Sequence, residues 1–336
     1  MATLVIAEAG VNHNGDLGLA LELVEAAASA GADAVKFQTF TAASLASANA
    51  PKAEYQEQND GTGTQQEMLE KLELTPSEHV KIASHCRKHN INFLSTAFGK
   101  SEMDLLLDLG IGAIKVPSGE ITNRPLLEYF AAAAFSNNKP VYLSTGMSSL
   151  GEIEECLSIF MEAGLKRKDI TLLHCLSAYP APEEQVNLRA MQSMAGAFGC
   201  PVGYSDHTLG INAAIAAVAL GAVLIEKHIT LDNSLPGPDH KASLMPNEFR
   251  RLVSAIRSCE KMLGDGYKRP QPSEKNTREV ARRSIRAARS IKKGDFIITE
   301  DIVCQRPGDG ISPMRVNEVI GSRASQNYCE GDLIGG

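Results

Sequence analysis

The chain has no C-x-x-C pair, no long basic run and no apolar stretch long enough to cross a bilayer, and each absence narrows what it can be. Seven cysteines are scattered through 336 residues without paired spacing. An odd, dispersed set argues against a disulfide framework and for reduced thiols in a cytoplasm. The net charge of −7 makes nucleic acid and anionic membrane surfaces poor partners. The longest apolar run, Ala213 to Ile225, is interrupted by Gly221 and falls short of the roughly 20 residues that a spanning helix needs. The opening M-A-T-L-V-I-A-E-A-G has neither the cationic start nor the apolar length of a signal peptide. No G-x-G-x-x-G follows the first apolar segment, so a dinucleotide-binding sheet lacks its fingerprint.

What is present is a rhythm. Hydrophobic content of 43% and charged content of 22% fit a globular chain long enough for one large domain and a small one. Short apolar segments at Leu4–Ala7, Ala34–Phe37, Asn92–Ser95, Ala113–Val116, Val141–Ser144, Ile170–His174, Pro201–Tyr204 and Ala222–Ile225 alternate with helical patterns. Alternation of this kind implies a parallel sheet. Eight repeats fit an α/β fold of the (β/α)8 TIM-barrel type, whose usual size is ~250 residues. A doubly wound open sheet is the alternative. The barrel is expected over residues 1–265, a Pro-bearing polar linker over 266–281, and a small β-rich module, punctuated by Gly and Pro, over 282–336. The polar stretch Thr39 to Thr64 reads as an irregular loop, and a loop of that length is usually functional or mobile.

In a barrel the active site lies at the C-terminal ends of the strands. Those ends carry Glu8, Lys36, Thr96, Lys115, Ser118, Glu120, Ser144, Ser177, Tyr179, Ser205 with His207, and Glu226 with His228. Any one of these, taken alone, is more often a helix cap or a hydroxyl bonded to backbone, and a lone histidine is more often satisfied by backbone than by a metal. Eight polar strand ends together exceed what capping explains. Two histidines after successive strands, with Asp239 following, could hold a divalent metal and leave positions open. Lys36, Lys115 and the hydroxyls suit an anion such as a phosphate with a carboxylate. An anion beside a Lewis acid suggests carbonyl chemistry. A Schiff-base aldolase through Lys36 or Lys115 ranks second, because it needs a lysine in an apolar pocket.

The segments I-A-E-A-G-V-N-H-N-G, V-K-F-Q-T-F, K-V-P-S-G-E, L-S-T-G-M, L-L-H-C-L-S-A-Y-P, Y-S-D-H-T, E-K-H-I-T and P-G-P-D-H, in that order, resemble the sialic acid synthase family. The C-terminal Q-R-P-G-D-G-I-S-P resembles its antifreeze-like (SAF) domain. The resemblance implies condensation of phosphoenolpyruvate with an N-acylated hexosamine, release of phosphate, and a divalent ion, Mn2+ first and Mg2+ or Co2+ next. It implies His207 and His228 as metal ligands, with Glu8 and Asp239 near the metal water. Lys36, Thr96, Lys115, Ser118, Ser144, Ser177 and Ser205 would surround phosphoenolpyruvate. Glu120, Tyr179, Asp239 and, from the long loop, Asn59 would contact the sugar. Arg306 would reach the sugar's N-acyl group from the partner of a domain-swapped homodimer.

Two positions depart from the family pattern. Ala97 stands where proline is common, and Ser177–Ala178 replace the usual polar residues before the tyrosine. These leave N-acetylmannosamine and 2,4-diacetamido-2,4,6-trideoxy-mannose both open as the sugar. A carbohydrate- or ice-binding protein without catalysis is the reading from another class. The metal histidines and both lysines weigh against it.

Overall fold

The structure, a computed structural model, describes residues 2–335. Eight parallel strands close into a barrel in chain order. They are β1 (Leu4–Gly10), β2 (Ala34–Thr39), β3 (Asn92–Ala97), β4 (Ile114–Val116), β5 (Val141–Ser144), β6 (Ile170–His174), β7 (Val202–Asp206) and β8 (Leu224–His228). β1 closes the ring by pairing with β8, with Glu8 opposite His228 on one side and opposite Lys36 of β2 on the other.

Side chains alternate across each strand, and here the alternation sorts chemistry. Outward-facing Val5, Val35, Phe37, Ile114, Val141, Leu172, Tyr204 and Ile225 join the main apolar core with residues of the surrounding helices. A separate buried cluster of Ile6, Ala34, Leu94, Ala113, Leu173 and Leu224 forms the floor inside the barrel. Two residues further along the same strands the inward side chain becomes polar: Glu8 after Ile6, Lys36 after Ala34, Thr96 after Leu94, Lys115 after Ala113, Glu226 after Leu224. Gly203 belongs to this interior because a Cβ there would lie 2.5 Å from the Leu224 carbonyl oxygen.

Helix boundaries follow local chemistry. The first helix, Leu17–Ala30, is capped by Asp16, whose side chain accepts from the Leu19 amide, and is ended by Gly31 at φ 85°. Thr75 and Ser149 form capping boxes with Glu78 and Glu152. Strands β1, β7 and β8 run further than hydropathy predicts, because their polar inward residues still belong to the ladder. His228 is the last residue of β8, not a loop residue. The stretch expected to be irregular carries short helices at Ala42–Leu45 and Glu54–Asp60.

Contacts divide the chain into Met1–Gly264 and Asp265–Gly336. The second unit has an antiparallel pair, β9 (Ser284–Ala287) and β10 (Ile302–Gln305), over a small core that includes Ile285, Ile297, Tyr328 and Ile334. Its first part, expected as linker, contains the exposed helix Lys275–Ala281. Among the described residues, no helix is long and apolar enough to cross a membrane.

Candidate active site

The C-terminal strand ends open into a cavity of about 460 Å³. Its centre is an ion-pair network. Lys36 Nζ lies 2.8 Å from Glu8 Oε2 and 3.6 Å from Glu226 Oε2. It also donates to Thr96 Oγ1 at 2.9 Å. Lys115 Nζ sits 3.9 Å from Glu226 Oε1 and donates to Ser144 Oγ, while Ser205 Oγ donates to Glu226 Oε1 at 2.8 Å. All four charged side chains are buried.

The two carboxyls titrate in opposite directions. Burial raises Glu8 to about 7, with Lys36 opposing and Glu226 reinforcing the rise. Burial also penalises ionised Glu226, but Lys115 and Lys36 outweigh it and hold Glu226 at about 2. Near neutrality Glu226 is the fixed negative charge between two lysines, while Glu8 carries a proton part of the time. The lysines therefore retain an excess of positive charge that an anionic ligand can use.

Beside this network stand the imidazoles. The His207 and His228 ring centroids are 5.6 Å apart. His207 Nδ1 lies 2.7 Å from the Leu176 carbonyl oxygen. A carbonyl only accepts, so Nδ1 carries the proton and Nε2 presents a lone pair. Burial lowers His207 to about 4 and His228 well below its ordinary value, so both are neutral. His228 Nδ1 is buried without a hydrogen-bond partner and lies 3.9 Å from Asp239 Oδ2. Two neutral imidazoles, one with an orphaned buried nitrogen, and a nearby carboxylate fit a divalent ion. Burial raises Asp239 to about 6.

Tyr179 packs across these rings, 4.1 Å from His207 and 5.7 Å from His228 between centroids. Its other neighbour is Tyr55, at 5.1 Å, from the short helix Glu54–Asp60. On the opposite wall Ser118 Oγ accepts from the Gly146 amide at 2.9 Å and lies 3.3 Å from Cys175 Sγ. A Cβ at position 146 would fall 2.3 Å from Ser177 Oγ and 2.8 Å from Ser118 Oγ, so the backbone at Gly146 must approach both hydroxyls closely.

Residues 23–268 match the NeuB family, and residues 282–335 match the SAF domain. The chain belongs to the NeuB family. It is 50% identical to the N,N'-diacetyllegionaminic acid synthase of Campylobacter jejuni over 99% of this chain and 98% of that one. Its identity to the N,N'-diacetyllegionaminic acid synthase of Legionella pneumophila is 48%, over 99% and 94%. Among solved structures it resembles the N-acetylneuraminic acid synthetase of Leptospira borgpetersenii in complex with citrate, at 36% identity and a TM-score of 0.71, over 82% and 90% of the two chains.

In this NeuB chain the cavity gathers Glu8, Lys36, Thr96, Lys115, Ser118 and Glu120, and, from the second half of the barrel, Ser144, Ser177, Tyr179, Ser205, His207, His228 and Asp239. Asn59 does not line it; its Nδ2 donates to the Pro238 carbonyl at 2.8 Å, tying the roof helix to the loop after β8. Arg306 is an exposed residue of the second unit, directly after β10. Glu226, expected at a strand end but with no role assigned, lines the cavity, as do Cys175, Tyr55 and the apolar wall of Val11, Met68, Leu69 and Phe98, which the sequence does not single out. Period-two spacing from Leu224 and from Leu173 points to Glu226 and Cys175; nothing local points to Tyr55.

Proposed function

We propose that the chain condenses phosphoenolpyruvate with an N-acylated hexosamine, taken as the open-chain aldehyde, to give a nonulosonic acid and phosphate. The buried network of Lys36, Lys115 and Glu226 beside two neutral imidazoles carries this reading. The sugar we favour is 2,4-diacetamido-2,4,6-trideoxy-mannose, giving the legionaminic product, because the two relatives near 50% identity bear that product's name. N-acetylmannosamine is the other sugar to test.

His207 and His228 would hold the divalent ion, Mn2+ first, with Asp239 close by. Bound there, it would supply Lewis-acid polarisation of the aldehyde. Lys36 and Lys115 balance the charge of phosphoenolpyruvate, and Thr96, Ser118, Ser144, Ser177 and Ser205 orient it. C3 of phosphoenolpyruvate forms the new bond to the aldehyde carbon. Water adds at C2, and phosphate leaves from the tetrahedral carbon by cleavage of its C–O bond. Asp239 and Glu120 are the carboxyls that reach the sugar side of the cavity. Asp239, raised to about 6 by burial, is suited to hold or pass the proton that the new hydroxyl requires. Tyr179 packs against the sugar. Arg306 acts from the partner of a domain-swapped homodimer, in the cytoplasm.

The experiment is phosphate release from phosphoenolpyruvate with Mn2+ and a panel of amino sugars. Release with the diacetamido sugar, lost in His228→Ala with the fold intact, is expected. No release with any sugar from folded, metal-loaded protein would sink the proposal. Burial also lowers Lys115, which favours a Schiff-base aldolase as a second reading. Borohydride reduction in the presence of the sugar distinguishes the two: a covalent adduct on Lys115 selects the aldolase.

A further inference from the structure

Three metal-ligating side chains lie together at the other end of the barrel. The outer helices Leu17–Ala30 and Pro76–Lys88 pack side by side. Glu25 of the first faces His85 and His89 at the end of the second, the two histidines being four residues apart and so on one helix face. His85 Nε2 is 3.0 Å and His89 Nε2 3.8 Å from the same oxygen, Glu25 Oε1. The three candidate ligand atoms lie within 4.8 Å of one another, and this is the group among the described residues that meets that condition.

The topology separates this triad from the catalytic rim. Both helices run antiparallel to the strands. His89 stands shortly before β3, which begins at Asn92, so it lies where strands begin, whereas the active-site residues lie where strands end. The chemistry of the donor set is also distinct. Tetrahedral coordination with bonds of 2.0–2.1 Å sets ligand atoms about 3.3 Å apart, and the two observed separations bracket that value. Two imidazoles and one carboxylate oxygen, in a partly exposed position, favour zinc over manganese in the ordinary order of divalent affinities. The last turn of the helix Pro76–Lys88 presents its carbonyl ends here, which favours a cation.

We propose that Glu25, His85 and His89 form a second divalent-metal site, selective for zinc, that clips the first two long outer helices together on the face opposite the catalytic rim. A fourth position is left to water. The site is structural, and its occupancy is independent of the catalytic ion. Total bound metal is then not a measure of catalytic-site loading.

The test is equilibrium dialysis of full-length protein against Zn2+ and, separately, Mn2+. His207→Ala/His228→Ala protein is expected to keep one equivalent of zinc and to bind manganese at least tenfold more weakly. Adding His85→Ala/His89→Ala should weaken zinc binding at least 100-fold, and Glu25→Gln alone about tenfold. Should the rim variant fail to fold, the comparison is otherwise-unmodified chain against His85→Ala/His89→Ala, which should differ by one equivalent of zinc. Phosphate release with Mn2+ should be the same in those two proteins. Full zinc stoichiometry in folded His85→Ala/His89→Ala overturns the site, and a loss of its manganese-supported turnover overturns the separation from catalysis.

Discussion

The alternation along β7 and β8 can be tested at Asp206 and Lys227. These stand between rim residues in sequence but point the other way. Lys227 Nζ lies 2.9 Å from Asp206 Oδ2, with both side chains at 0% exposure. Asp206 Oδ1 accepts from the Thr208 amide at 2.9 Å and from the Thr208 hydroxyl at 2.7 Å, and Lys227 also donates to the Thr208 carbonyl. Asp206→Asn strands a buried ammonium, at a cost of about 3–5 kcal/mol. Lys227→Met strands a carboxylate that keeps only its Thr208 bonds, and about 3 kcal/mol is expected. In the double variant the amide still accepts from Thr208 and no ion remains, so the loss falls to about 2 kcal/mol. Strict addition would give about 6 kcal/mol or more, so a coupling of about 4 kcal/mol is predicted. Urea unfolding of the four proteins reads the cycle. Thermal midpoints should fall by roughly 6–10 °C in Asp206→Asn, at about 2 °C per kcal/mol for a unit of this size. Phosphate release per folded molecule should stay within about threefold of the parent in the double variant, since neither side chain faces the cavity. Single losses that add to within about 0.5 kcal/mol would refute the buried pair.

Glu226→Gln removes the negative charge that spaces Lys36 and Lys115. A fall in kcat/KM of about 10²–10³ is expected from steady-state assays, and a change under threefold would remove Glu226 from the machinery. Gly146→Ala pushes a methyl into Ser177 and Ser118, and should raise KM for phosphoenolpyruvate about tenfold with little change in kcat; an unchanged KM would show that the hydroxyls do not hold that ligand. His13 accepts from the Gly15 amide at 3.0 Å, and its burial lowers it to about 4. Burial lowers His79 as well. Each is neutral in the folded protein at pH values where the unfolded chain already binds a proton, for His13 between about pH 4 and 6.5, so their stabilisation is complete above about 6.5 and drains away as pH falls. For His13 the fall from 6.5 to about 4 corresponds to about 3 kcal/mol. Urea midpoints at pH 7.5 and 4.5 should differ less in His13→Asn than in the parent, and equal differences would reject this assignment.

The barrel was legible because its strands are short apolar segments at regular spacing, and the rim was legible because each segment ends in polar residues. Hydropathy alone set the strand ends too early. The apolar segment of β8 ends at Ile225, yet Glu226, Lys227 and His228 continue the ladder, and only the inward two reach the cavity. Glu226 is hard to rank from sequence for that reason: it is one of three adjacent charged or polar residues, and period two singles it out only once the floor residue Leu224 is known to point inward. Tyr55 and Asn59 depend on how a long polar segment folds over the mouth. Their partners, Tyr179 and Pro238, are more than a hundred residues away, and no local pattern encodes such contacts. The triad at Glu25, His85 and His89 is hidden in sequence on the same ground, since Glu25 lies on another helix, 60 residues before His85.

Tyr179 stands between the roof helix, through Tyr55, and the two imidazoles of β7 and β8. The segment that carries Tyr55 is thus only one aromatic ring away from the groups that would hold the metal. A substitution that displaced Tyr55 would act on Tyr179, which packs on both imidazoles. If the roof touches the sugar, substrate range and the setting of the two imidazoles are mechanically tied. A change of specificity made in the segment around Tyr55 therefore has to be followed at the metal site as well.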